Sequence, residues 1–135
     1  MTRGTVLFHR DFTFKDGEIG EKYLIILNTP QHDEPYLCCK TTSKCQKHGI
    51  TTEGCHPHKN IYMLRANHDW FLHDTCIQFH ELYEIKMSEF LKAKLQDNTC
   101  EIKHCLRDET SRAIRNCIKK SDDVSEYHLE LIFKS

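Results

Sequence analysis

Up to about Met87 the apolar residues fall in short runs separated by polar, glycine-bearing or proline-bearing stretches, and beyond it they take on a helical rhythm. GTVLFHRDF opens with an apolar run and reads as a first strand. FKDGEIGEK, with two glycines among charges, is turn chemistry. KYLIILN is a continuous apolar run bounded by turn signals, as a buried central strand should be. TPQHDEP turns the chain, and YLCCKTT is a further β-rich run that ends on Thr-Thr-Ser. In NIYMLRA, Ile61 and Met63 fall on one face and Tyr62 and Leu64 on the other. NHDWFLHD reads as an aromatic turn. DTCIQFHEL then alternates again, with Cys76, Gln78 and His80 on one face and Ile77, Phe79 and Glu81 on the other, which predicts a strand with one polar face.

After Met87, SEFLKAKLQD places Phe90, Leu91 and Leu95 on one side of a helix. The pattern predicts a longer helix from Asn98 or Thr99, either one an N-cap, with the stripe Ile102, Cys105, Leu106, Ala113, Ile114, Cys117 and Ile118. HLELIF alternates around Leu129, Leu131 and Phe133 and predicts an edge strand. About five strands before two helices give an α+β class: a small antiparallel β-barrel or strongly curved sheet with C-terminal helices on one side. There is no internal repeat or low-complexity tract.

Composition narrows the class. A chain of 135 residues suits one domain over 1–135, and 39% apolar with 29% charged residues excludes a disordered protein. No window approaches the roughly 20 apolar residues of a bilayer span, and MTRGTVLFHRDF has no apolar signal region, so the expected location is cytoplasmic with no membrane contact. In that compartment the eight cysteines are expected as reduced thiols or metal ligands rather than as a disulfide framework, with Cys105 and Cys117 as small core residues. The net charge of −1 gives no global pull toward nucleic acid. From Lys40 to Lys59, however, Lys40, Lys44, Lys47 and Lys59 stand against Glu53 alone, alongside His48, His56 and His58. That segment suits either an encounter with phosphates or simple solvation.

The same segment, CQKHGITTEGCHPH over 45–58, reads as CxxH, six residues, CxxH. Cys45, His48, Cys55 and His58 form a tetrahedral Zn²⁺ ligand pattern, with Gly49 and Gly54 helping the chain reverse and His56 competing with His58. The gap is shorter than in finger or ribbon signatures. Three readings fit: a structural zinc that orders the loop beside Thr42, a catalytic zinc, or a polar loop with no metal.

The order GTVLF, a Gly/acidic loop, EKYLIILN, YLCCKTTSK, FLHDTCIQF and ELYEIKMSEFL, over roughly residues 3 to 120, resembles the PemK/MazF family of toxin ribonucleases from type II toxin-antitoxin systems. The resemblance implies an SH3-like or CcdB-like barrel and sequence-specific cleavage of single-stranded RNA. It also implies that catalysis needs no metal: the 2′-hydroxyl attacks and leaves a 2′,3′-cyclic phosphate. As partners it implies a homodimer, with RNA along the subunit interface, and a cognate antitoxin. Lys22 stands where the family usually has Arg, keeping the charge but not the planar two-donor fork. Thr42 and Ser43 match the family's strand-end pair, although such residues also simply close turns. Gln78 and His80 stand where some members carry Arg and Asp, which makes His80 the first candidate for proton transfer and His73 the second. Lys40, Lys44, Lys47 and Gln78 are the candidate RNA contacts, and Trp70 and Phe71 suit either base stacking or plugging the barrel end. Two other classes remain open: a non-catalytic RNA-binding or protein-interaction module, and a metal or redox sensor or metal-dependent hydrolase centred on the Cys/His loop.

Overall fold

A computed structural model describes residues 1–14 and 16–134; Lys15, in the expected Gly/acidic loop, lies outside the described residues. Its strands are β1 (Thr5–Thr13), β2 (Ile19–Ile26), β3 (Tyr36–Thr42), β4 (Gly54–His56), β5 (Ile61–Leu64), β6 (Thr75–Ile85) and β7 (Cys100–Cys105), and its helices are α1 (Met87–Leu95), α2 (Asp108–Lys119) and α3 (Glu126–Phe133). The strands form one seven-stranded antiparallel sheet in the order β4-β5-β6-β3-β2-β1-β7. The class is therefore α+β. Among the described residues no helix is long and apolar enough to cross a membrane.

Both faces of the central strands are covered, which is why KYLIILN and YLCC are continuous apolar runs rather than alternating ones. On one face Val6, Ile25, Leu37, Ile77 and Phe79 pack with Ile114 and Ile118 of α2 and Leu131 and Ile132 of α3. On the other, Leu7, Leu24, Ile26 and Cys38 pack with Phe90 of α1. A third cluster, Cys45, Ile50, Ile61, Met63 and Cys76, sits under the Cys/His segment. The expected split of β5 holds: Ile61 and Met63 join this third cluster, while Leu64 and Tyr62 join the first. Register shifts at His9/Phe12 in β1 and at Cys39/Lys40 in β3 mark irregularities of the kind that bend a sheet.

Several expectations are corrected. Residues 100–105 form strand β7 rather than a helix, paired along β1 from Thr5↔Cys105 to His9↔Cys100. Asn98, at φ 55°, turns the chain back after α1, and the helix expected from residue 98 or 99 starts only at Asp108. HLELIF is helical, not an edge strand: its buried neighbours Leu131 and Ile132 follow half-buried His128 at i+3 and i+4. In β6, Cys76 and Gln78 are buried instead of forming a polar face, because β3 and β5 flank the strand and the third cluster covers it. Of the α1 apolar residues only Phe90 is buried, and Leu91 and Leu95 are exposed. The cysteines depart furthest from expectation: Cys55 of β4 and Cys117 of α2 are disulfide-bonded, and Cys105 is exposed.

Ser125 caps α3, its Oγ accepting the His128 backbone N–H at 3.1 Å. Ser125→Ala is expected to cost about 1 kcal/mol in a urea unfolding titration, as loss of a good cap does. An unchanged midpoint would mean that α3 does not depend on this cap.

Candidate functional site

The N-terminal half of β2, the end of β3 and the aromatic turn before β6 enclose a cleft of about 940 Å³. The chain folds this way because Thr42 closes β3 with its own side chain, Oγ1 accepting the Lys44 N–H at 3.1 Å. That bond occupies an acceptor site on the hydroxyl and leaves its proton for a ligand. Thr41, one residue earlier, also lines the cleft but spends its hydroxyl on the Tyr23 carbonyl at 2.9 Å. Ser43 and Lys44 follow as exposed residues on the cleft lip.

Lys22 enters from β2, Nζ donating to the Thr41 carbonyl at 3.1 Å. Lys22 and Lys40 both lie over the Phe14 ring, at 5.8 and 5.7 Å. Burial, and then the neighbouring charges of Lys40 and Lys44, push the Lys22 ammonium below the ordinary lysine pKa. Among the described residues no carboxylate pairs with any of these three lysines. The cluster is thus short of negative charge, a condition that a phosphate group relieves.

The opposite side of the cleft is set by the turn before β6. There the Asp74 carboxylate accepts the Ala66 N–H at 2.8 Å and pairs with Arg65 at 3.3 Å, and these contacts, the Ala66 N–H first, hold its carboxyl below the usual carboxylate range. This explains the aspartate of FLHDT as an anchor of the turn that presents His73 and Leu72 to the cleft.

Four of the five residues expected to act on substrate, Lys22, Thr42, Ser43 and His73, therefore line one cavity, together with Lys44. His80 does not. It lies further along β6, exposed, with Nε2 3.7 Å from Glu81 Oε1. Gln78 is buried, its amide nitrogen 3.3 Å from His48 Nε2. Lys40 stands beside the cleft through Lys22 and Phe14, whereas Lys47 is exposed on the short turn Cys45–His48. Glu21, which sequence reasoning missed, also lines the cleft. Its only signal was its place beside Lys22.

The zinc pattern does not assemble. Cys55 is bonded to Cys117, Cys45 is buried in the third cluster with Cys76, His48 faces Gln78, and His58 is exposed on the turn Pro57–Lys59. His56 instead contacts the Thr52 carbonyl at 2.8 Å. Among the described residues no three His, Cys, Asp or Glu side chains converge as a metal site. A second recess of about 620 Å³ is lined by Asp33, Glu34, Glu84 and Glu89, against His32 and Lys86. Its charge disfavours phosphate.

No family model and no curated protein matches the chain.

Proposed function

We infer that the chain is a PemK/MazF-like endoribonuclease that cuts single-stranded RNA at this cleft without a metal, on a curved sheet of the SH3-like or CcdB-like type. The observation that carries the reading is the convergence in one cavity of Lys22, Thr42, Ser43 and His73, positions that the resemblance in sequence singles out independently of the structure. Glu21 supplies the carboxylate that the chemistry needs.

In this reading Lys22 and the hydroxyls of Thr42 and Ser43 bind the scissile phosphate and the charge that grows on it in the phosphorane. Glu21 accepts the proton of the 2′-hydroxyl as O2′ bonds to phosphorus. The P–O5′ bond breaks, and His73 is the group that gives a proton to O5′. The products are a 2′,3′-cyclic phosphate and a 5′-hydroxyl, with no water consumed. From the resemblance, the working unit is a homodimer held in check by a cognate antitoxin.

The test is incubation with a long unstructured RNA in excess EDTA, followed by mapping of the new ends. Cyclic phosphate ends are expected, with cleavage falling roughly 10²-fold in Thr42→Ala, as for loss of one transition-state donor, and falling also in Glu21→Gln at unchanged RNA affinity. Lysine in place of the family's arginine, and His80 outside the cleft, favour a second reading, a non-catalytic RNA-binding module. RNA bound but never cut, with or without added zinc, would select it.

A further inference from the structure

The lysines and hydroxyls account for a phosphate but leave the apolar side of the cleft unused. Tyr23, Trp70, Phe71 and Leu72 all line it. Phe71 is buried in the main core and is the residue that plugs this end of the sheet, while Trp70 on one side of it is half-buried and Leu72 on the other is 75% exposed. A plug at Phe71 has no need of an exposed Leu72 or of a Trp70 left partly open to the cleft.

The surface they form is braced from behind. The Trp70 ring stacks with His104 of β7, at 6.0 Å and 14° between planes, and meets Tyr23 and Phe71 edge-on at 5.5 and 5.2 Å. Asp69, the preceding residue, has a side chain only 3% exposed. Its carboxylate accepts the Arg107 backbone N–H at 3.1 Å and Nε at 3.4 Å, with His104 Nε2 at 3.7 Å. A fixed apolar surface costs a ligand little ordering when it binds. Set in the same cleft as an anion site, it fits a ligand whose flat apolar part is covalently tied to a phosphate.

We propose that Tyr23, Trp70 and Leu72 form a nucleobase subsite that holds a base next to the scissile phosphate and so selects which RNA steps are cut. This rests on the ribonuclease reading for the identity of the phosphate, but base binding itself does not require cleavage. Asp69, His104 and Arg107 act as positioning residues for the turn.

Trp70 is the sole tryptophan of the chain, so its emission reports on the subsite directly. The protein, in EDTA, is titrated with a 2′-O-methylated single strand, which lacks the nucleophile and cannot be cut, and with an abasic strand of the same length. Affinity is read from the anisotropy of an end-labelled strand. The base-bearing strand is expected to change Trp70 emission and to bind roughly 10- to 100-fold more tightly than the abasic one, the range that base–aromatic contacts carry. Trp70→Ala should lose that preference and Trp70→Phe, the variant safest for folding, should keep most of it. Equal affinity of the wild type for the two strands, or a preference that survives Trp70→Ala, overturns the subsite. The two readings fail separately. A base preference lost in Trp70→Ala, in a protein that never cuts RNA, leaves the subsite standing and ends the ribonuclease reading. Cleavage whose rate and cut-site choice ignore Trp70→Ala does the reverse.

Discussion

Lys22→Ala is expected to slow RNA cleavage roughly 10³-fold, the upper range for loss of a donor to a developing oxyanion, because this donor carries a full charge. Its surroundings explain the size. Among the described residues Lys22 sits with Lys40 and Lys44, pairs with no carboxylate, and donates to the Thr41 carbonyl. Lys22→Arg should retain activity, since the charge remains and a second donor is added. The pH dependence follows from the direction of the shift. With its folded-state pKa below the ordinary lysine value, Lys22 loses its charge, and the cleavage proposed to depend on it should fall, at a lower pH than an exposed lysine would dictate. The effect on the fold has the opposite sign: below that lowered pKa the buried charge opposes folding, and stability returns as pH rises through it toward the unfolded value. Lys22→Met should therefore melt slightly higher than the wild type at neutral pH while being inactive. Measured rates and melting curves of the three variants check this; cleavage by Lys22→Ala within tenfold of wild type would remove Lys22 from the proposed chemistry.

The second large effect is on stability. Breaking the Cys55–Cys117 bond, whose partners are 62 residues apart in sequence, is expected to lower stability by roughly 4 kcal/mol from the chain entropy restored to the unfolded state. For a domain of this size that is a fall of roughly 10–20 °C in melting temperature. Cys55→Ser is the gentler variant, because Cys55 is half-buried whereas Cys117 is 1% exposed among Ile114, Ile118 and Leu131. Reductant should bring the wild type to the same temperature as the variant. The cleft should survive, since Thr42 and Ser43 are tied to the sheet through β3, and Cys45 just beyond them is packed in the third cluster. Eight reactive thiols in the denatured, unreduced protein, instead of the six free cysteines described, would rule out the bond.

Most strands were legible because buried strands in a small sheet need apolar residues either alternating or continuous, and both patterns stand out in KYLIILN and IYML. β7 escaped notice because an edge strand that buries little shows no alternation. From Glu101 to Cys105 every residue is exposed, while Ile102 and Leu106 happen to fall at helical spacing. α3 was misread because Leu129, Leu131 and Phe133 alternate, yet the core takes Leu131 with Ile132. In the cleft, Thr42 stood out at the end of a β-rich run, whereas Lys22, inside β2, was singled out only through the resemblance. The place of His80 was not legible, because it depends on how far along β6 the cleft extends, and that is a matter of register. The disulfide joins two elements distant in sequence, and spacing alone does not select one pair from eight cysteines.

Strand β7, the last in the chain, pairs with β1, the first, bringing residues near position 5 together with those near 105. A contact of such sequence separation forms late and slowly. During synthesis at the ribosome, β1, β2 and β3 emerge long before His104 and Arg107, the residues that brace the turn carrying Trp70. The cleft is thus complete only once residues up to Arg107 have left the exit tunnel, and until then the turn that carries Trp70 lacks its brace.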